Sequence, residues 1–342
     1  MKKNVVVIGA GMGGLTAALR LAREGCRVQV LEARAEAGGL ATGNSYEGFS
    51  FDAGPYILLD RPELEWAFAS VGLKLSEHIE LRAIDHVYSV ASPGSPTVNI
   101  YSSDAKTSSE MEQTWPGSGE RYLRFVRKTG AIEASLRPLL YGSAPGPRSL
   151  LGGGRWKHAG FLLRSLQSVL RGSRLPQPVV DALSIWTHVA GQRPEQAPSP
   201  LAFVPALVHS VGCFYPKEGI RAIPAVLAKA AAAAGVEFRY GAKAKRICTK
   251  DGRVSAVETN TGETFAADAV VSDCGIATYL ELLDTKESAS GERCEKLPLQ
   301  SPGVCAYLAV KPRAGGRAST RFARSEPRCR LRSHPPLPNR SE

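Results

Sequence analysis

Aromatic residues make up only 7% of this 342-residue chain. It contains no run of about 18 uninterrupted apolar residues, so a membrane-spanning helix is not expected. Cys-x-x-Cys pairs are absent. The seven cysteines (26, 213, 248, 274, 294, 305 and 329) fall at irregular spacing, which speaks against a zinc ribbon or a disulfide framework, and they read as reduced structural thiols. The six histidines form neither His-Glu-x-x-His nor any short repeat, so no metal site is expected. No secretory leader is expected, because Met1-Lys2-Lys3-Asn4 runs straight into Val5-Val6-Val7-Ile8-Gly9, an apolar stretch too short for a signal core. A cytoplasmic location is the expectation. What remains is ordinary globular composition, 43% hydrophobic and 22% charged, in a length that suits two domains.

The net charge of +11 is uneven: Arg313 to Glu342 holds eight arginines and two acids, which is +6. That stretch lacks lysine, periodicity and interleaved aromatics, so a nucleic-acid-binding arm is set aside and no nucleic-acid partner is expected. Its Arg-Ser-Pro-Gly-Ala bias matches a GC-rich gene read in a wrong frame. Residues 312–342 are therefore expected to be an aberrant, disordered basic tail.

The first residues are richer in information. Val5 to Ile8 is a β-branched run of the kind buried on both faces of a parallel sheet. It feeds Gly9-Ala10-Gly11-Met12-Gly13-Gly14. A helix follows, with Leu15, Ala18, Leu19 and Ala22 on one face and Gly25 placed to end it. Arg27 to Leu31 forms a second strand that finishes on Glu32, 21 residues after Gly11. This is a complete βαβ dinucleotide fingerprint. Gly9 permits the tight turn, Gly11 lets the backbone approach a pyrophosphate, Gly14 allows close helix packing, and Glu32 suits a ribose diol. An acid there repels a 2′-phosphate, which favours FAD or NAD over NADP.

Arg34, Gly38-Gly39, Leu40 and Thr42 follow at once, and then Phe51-Asp52-Ala53-Gly54-Pro55. On these motifs the sequence resembles the amine-oxidase-type flavoprotein superfamily, and within it the phytoene desaturase branch that includes carotenoid isomerases and retinol saturases. The resemblance implies FAD as cofactor, with Gly38 and Gly39 against its diphosphate beside Gly11 and Gly13, and Arg34 helping to hold it. Phe214-Tyr215-Pro216-Lys217-Glu218-Gly219-Ile220 is similar to the family's Tyr-Pro-x-Gly-Gly stretch, with Glu218 where the family usually has glycine. A helix is expected over 223–234, then strands over 236–240, 243–249, 253–259 and 264–272, with turns at Asp251-Gly252 and Thr261-Gly262. The family match puts Ala244 at the adenine.

The expected fold class is α/β: a Rossmann-type FAD-binding domain with a mixed sheet over 1–67 and 215–280, interleaved with an α+β substrate domain over 68–214 and 281–311. The match covers about residues 4–90 and 200–311 and then stops, so the C-terminal part of the FAD domain is expected to be missing from a truncated chain. The resemblance implies an oxidoreductase acting on C–C bonds of an apolar, lipid-like polyisoprenoid. A non-catalytic remnant and a flavin amine oxidase are the alternatives. The cofactor carries the difficult step in such enzymes, so no catalytic side chain is assigned, and His188 and His209 read as core histidines. Arg148 to Arg174 holds six Arg or Lys and no acid. With Leu162, Leu163, Leu166, Val169 and Leu170 on one helical face, it reads either as a cationic helix at an anionic membrane interface or as a half-buried roof over the substrate channel. The first reading implies peripheral association with the inner face of the membrane.

Overall fold

The computed structural model describes residues 2–139, 141, 149, 152–283 and 320–323. They fall into two compact units, the first comprising 2–84 and 210–283, the second 85–209 with 320–323.

The first unit is built on strand β1 (Asn4–Ile8), helix α1 (Met12–Arg23) and strand β2 (Arg27–Leu31). β1 and β2 pair in parallel, Ala269–Ser272 adds in parallel outside β1, and Glu237–Arg239 outside β2. Val5, Val6, Val7 and Ile8 are 4%, 1%, 0% and 6% exposed, as a run without a polar face requires. Val7, Val28 and Val30 pack with Leu15, Ala18 and Leu19 of α1 and with Ile223, Leu227 and Ala231 of the helix Ala222–Ala233. Val6, Ile8 and Leu31 face the other way, onto Ile247, Val257 and Phe265 of an antiparallel sheet formed by Ala244–Lys250, Arg253–Thr259 and Thr264–Ala266. Each fully buried side chain of this size contributes about 1.5–3 kcal/mol.

Two expectations are corrected here. The strand expected over 264–272 is two strands in two sheets, because Asp268 breaks it. Its N–H donates to Asn4 O at 2.8 Å and its carboxylate accepts from Asn4 N–H at 2.8 Å, which hands the chain from the antiparallel sheet to the edge of β1. The boundary expected between 67 and 68 falls after Ile84. Phe68, Val71, Leu75 and Ile79 belong to the core beneath α1, and Leu81–Ile84 pairs antiparallel with Cys213–Pro216, so this segment is part of the dinucleotide unit.

The second unit combines a small sheet with helices. His86–Ala91 pairs antiparallel with Val98–Tyr101, and helices Asp104–Thr114 and Ser118–Leu136 follow. Tyr88, 2% exposed, meets Trp186 edge-on at 5.5 Å between ring centroids and accepts a hydrogen bond from its Nε1 at 3.3 Å. The helix expected over 162–171 is interrupted. Ala159–Leu162 ends, and Leu166–Gly172 starts afresh under the Ser165 cap. The freed N–H groups of Leu166 and Gln167 donate to Ala197 O and Pro194 O, at 2.8 and 3.0 Å, so a neighbouring loop satisfies the break. Leu166, Val169 and Leu170 are buried, whereas Leu163 is 88% exposed. Of the tail expected to be disordered, Thr320–Ala323 forms a strand parallel to His86–Ala91, whose outer edge offers unpaired backbone groups. The rest of 312–342 and residues 148, 150 and 151 lie outside the described residues.

Candidate functional site

The glycine-rich turn between β1 and α1 positions the candidate dinucleotide site. Gly9 has φ +98°, a left-handed conformation, and a methyl on Gly14 would collide with Gly9 O, so both positions demand glycine. Gly11 precedes α1 as a cap without a side chain, and no acid stands in the helix's first turn. The first N–H groups of α1 therefore point into the site without an intrahelical partner, a ready seat for phosphate.

Glu32 lies at the end of β2, 7% exposed. Its Oε2 accepts from Ala10 N–H at 2.7 Å and its Oε1 from Arg34 N–H at 2.8 Å. An ionised carboxylate has about four lone-pair sites, so two are committed to fixing its orientation and the others are open to a ribose diol. Its own carbonyl accepts from Ala242 N–H at 2.9 Å, which brings the approach to the strand Ala244–Lys250 beside it. Ala244 opens that strand opposite Thr259, and its side chain is half-buried.

The second glycine pair sits directly on the first turn. Gly38 (φ +138°) donates to Ala10 O at 2.8 Å, and Gly39 (φ +58°) approaches so closely that a methyl on it would lie 2.9 Å from Gly11 Cα. Arg34 Nη1 donates to Gly39 O at 2.8 Å and locks the turn. A methyl on Gly38 would come 2.8 Å from Thr42 Cγ2, while Leu40 is 81% exposed. Gly9, Gly11, Gly13, Gly14, Glu32, Arg34, Gly38 and Gly39 thus converge on one surface, with Leu40 and Thr42 at its margin.

Two acids that sequence reasoning did not assign belong to the same unit. Asp52, from the Phe-Asp-x-Gly-Pro motif, accepts from Tyr215 Oη and from Ile220 N–H, the latter at 3.0 Å. It ties the two motif stretches together and packs against Gly219, whose φ of +86° the turn requires. Burial first, then the bond to Asp52, pushes the Tyr215 hydroxyl up to about 12, so it remains a donor at neutral pH. Glu218 and Arg221 line a groove of about 500 Å³ with Glu36, Thr42 and Gly43. Asp273 is the second acid. It follows Ala269–Ser272 and places its carboxylate beside Gly11 and Gly13. No motif marked it, because its position depends on pairing between β1 and a strand more than 260 residues later.

In the second unit, His209 Nδ1 lies 3.1 Å from Ser102 O and Nε2 lies 2.7 Å from the fully buried Tyr122 Oη. With Nδ1–H donating to the carbonyl, Nε2 accepts the phenol proton, and burial depresses the imidazole's pKa. His188 Nδ1 approaches Ile185 O at 2.5 Å. A groove of about 530 Å³ is lined by Arg121, Arg124, Lys128, Arg164 and Arg174, with no carboxylate among its described lining residues. Phe125, Ile132, Phe161 and Val169 supply apolar walls. Among the described residues no helix is long and apolar enough to cross a membrane.

The NAD(P)-binding Rossmann-like domain family matches residues 7–70, which carry the glycine turn, Glu32 and the second glycine pair. The chain is 34% identical, over 91% of its length, to the zeta-carotene-forming phytoene desaturase of Myxococcus xanthus. It is 32% identical over 89% to a hydroxyneurosporene desaturase of Rhodobacter capsulatus. Both of these relatives are carotenoid desaturases. The 4,4'-diapolycopene oxygenase of a Methylomonas species, 28% identical over 90% of this chain, extends the set to oxygenases. The chain spans 61%, 62% and 63% of the lengths of these three relatives. Among solved structures, an oxidoreductase from Methanosarcina mazei superposes with a TM-score of 0.61 at 19% identity, over 85% of this chain and 63% of that one. Putrescine oxidase bound to putrescine reaches 0.56 at 15% identity, over 82% and 60%. At these identities the likeness to solved structures concerns fold, whereas the likeness to the desaturases extends through sequence.

Proposed function

We propose that this chain binds FAD and belongs to an oxidoreductase acting on C–C bonds of an apolar polyisoprenoid, as the names of its desaturase relatives suggest. The observation that carries the cofactor is the double glycine turn. An NAD site needs the Gly9–Gly14 turn and an acid such as Glu32, but has no use for a second pair seated on it. When bound, FAD supplies the hydride acceptor.

This chain's own residues hold and orient the cofactor. Gly9, Gly11, Gly13 and Gly14 leave backbone open to the pyrophosphate, and Glu32 accepts hydrogen bonds from the adenosine ribose. Arg34, Gly38, Gly39, Leu40 and Thr42 flank the diphosphate, and the backbone at Ala244 meets the adenine. An amine oxidase would share this flavin site. The sequence relatives, which act on carotenoids by name, favour the polyisoprenoid. Peripheral association with an anionic membrane surface also forms part of the proposal. The five cations around the apolar groove support it, as do Trp156 and Leu163, 65% and 88% exposed.

Titration of FAD and NAD into the purified chain tests the cofactor assignment. FAD is expected to bind and NAD to fail at the same concentration. Glu32→Ala is expected to weaken FAD by about 1–3 kcal/mol, the cost of leaving the ribose hydroxyls unpaired. Preference for NAD, or equal FAD affinity in the variant, would count against the reading.

A further inference from the structure

Gly11 and Gly13 owe their place in the turn to the space that a missing side chain leaves for a pyrophosphate. In this chain another group reaches into that space. A methyl on Gly11 would come within 2.8 Å of Asp273 Oδ2, and one on Gly13 within 2.6 Å of Oδ1, so the two carboxylate oxygens straddle the turn. The backbone N–H of Asp273 donates to Ile8 O at 2.9 Å, which anchors its main chain at the end of β1. No hydrogen bond or ion pair from a described residue holds its side chain, and the residue is exposed, so the carboxylate is free to swing away.

We propose that Asp273 is an electrostatic brake on dinucleotide binding, standing in the phosphate seat until the cofactor displaces it; this rests on the dinucleotide reading above. Two effects act in the same direction. Without ligand, the carboxylate complements the positive end of α1, which has no acid in its first turn and no side-chain cap. With ligand, a pyrophosphate at the same turn meets the like charge of the carboxylate a few ångströms away unless the side chain turns aside. The cofactor therefore binds only after the carboxylate rotates out, and Asp273 sets the affinity.

Asp273→Asn removes the charge with little change of shape, and Asp273→Ala removes charge and bulk. Both are expected to tighten FAD binding by about tenfold or more, read as the dissociation constant from flavin fluorescence. The order of melting temperatures supplies a readout that a merely structural residue would not reverse: without FAD the variants melt below the wild type, and with saturating FAD they melt above it. Circular dichroism establishes that each variant is folded, and if one is not, the other decides. Wild-type affinity or weaker in the folded variants overturns the brake while leaving the FAD reading intact. Failure of wild type and variants alike to bind FAD overturns both.

Discussion

Glu32 and Asp52 differ in how far a linear reading can reach. Glu32 was legible because the βαβ unit is local: strand, turn, helix and strand fix where its last residue lands, and the structure buries it to 7% exposure with two backbone donors. Gly38 and Gly39 were singled out only by the family resemblance, and the structure seats them on the first turn. Asp52 was only a letter in a motif, since its partner Tyr215 lies 163 residues away and its second donor, Ile220 N–H, 168. Asp273 was invisible because the sheet order that brings it to Gly11 is a tertiary fact. The Asp52 bonds carry a prediction. Asp52→Ala leaves the Tyr215 hydroxyl and the Ile220 N–H without their acceptor, and is expected to lower the unfolding free energy by about 1–3 kcal/mol. Tyr215→Phe removes one of the two bonds and should cost less. Urea denaturation of the three proteins measures this, and an Asp52→Ala variant as stable as the wild type would show that the loop has another anchor.

Elements were legible where their period was clean. α1 and the helix Ala222–Ala233 carry a continuous apolar face and appear as expected. The 264–272 stretch reads as one strand because alternation does not reveal which sheet a residue joins; Asp268 divides it by bonding Asn4. The 162–171 pattern is helical in both halves but not through the middle, where Ser165 accepts from Ser168 N–H and caps a new helix. The break leaves Leu163 exposed rather than on the buried face, and the cations of Ser118–Leu136 join those of 164–174 around one groove. Vesicles containing phosphatidylglycerol are therefore expected to bind the chain, less so as salt rises, because surface charge is screened within about 8 Å at physiological ionic strength. Lys128→Glu with Arg174→Glu should weaken that binding several-fold. Equal binding to purely zwitterionic vesicles would return the groove to a solvated surface.

At the scale of the whole molecule, the sequence points to a first unit that is discontinuous, and the structure divides the chain that way, with the glycine turn and the strands after residue 210 in one unit. The exact joins were not legible, since Phe68 to Ile84 has no nucleotide motif and is assigned to the first unit by its burial beneath α1 and its pairing with Cys213–Pro216. The spans of 61–63% of the desaturase relatives describe how much of such proteins this chain corresponds to. The proposed FAD site rests on the paired glycine turns. The most direct measurement is to denature the full chain, purified without added nucleotide, in acid and identify what it releases. FAD, with its flavin absorbance, is the expected release, with no nicotinamide. Release of NAD from protein that carries no flavin would contradict it.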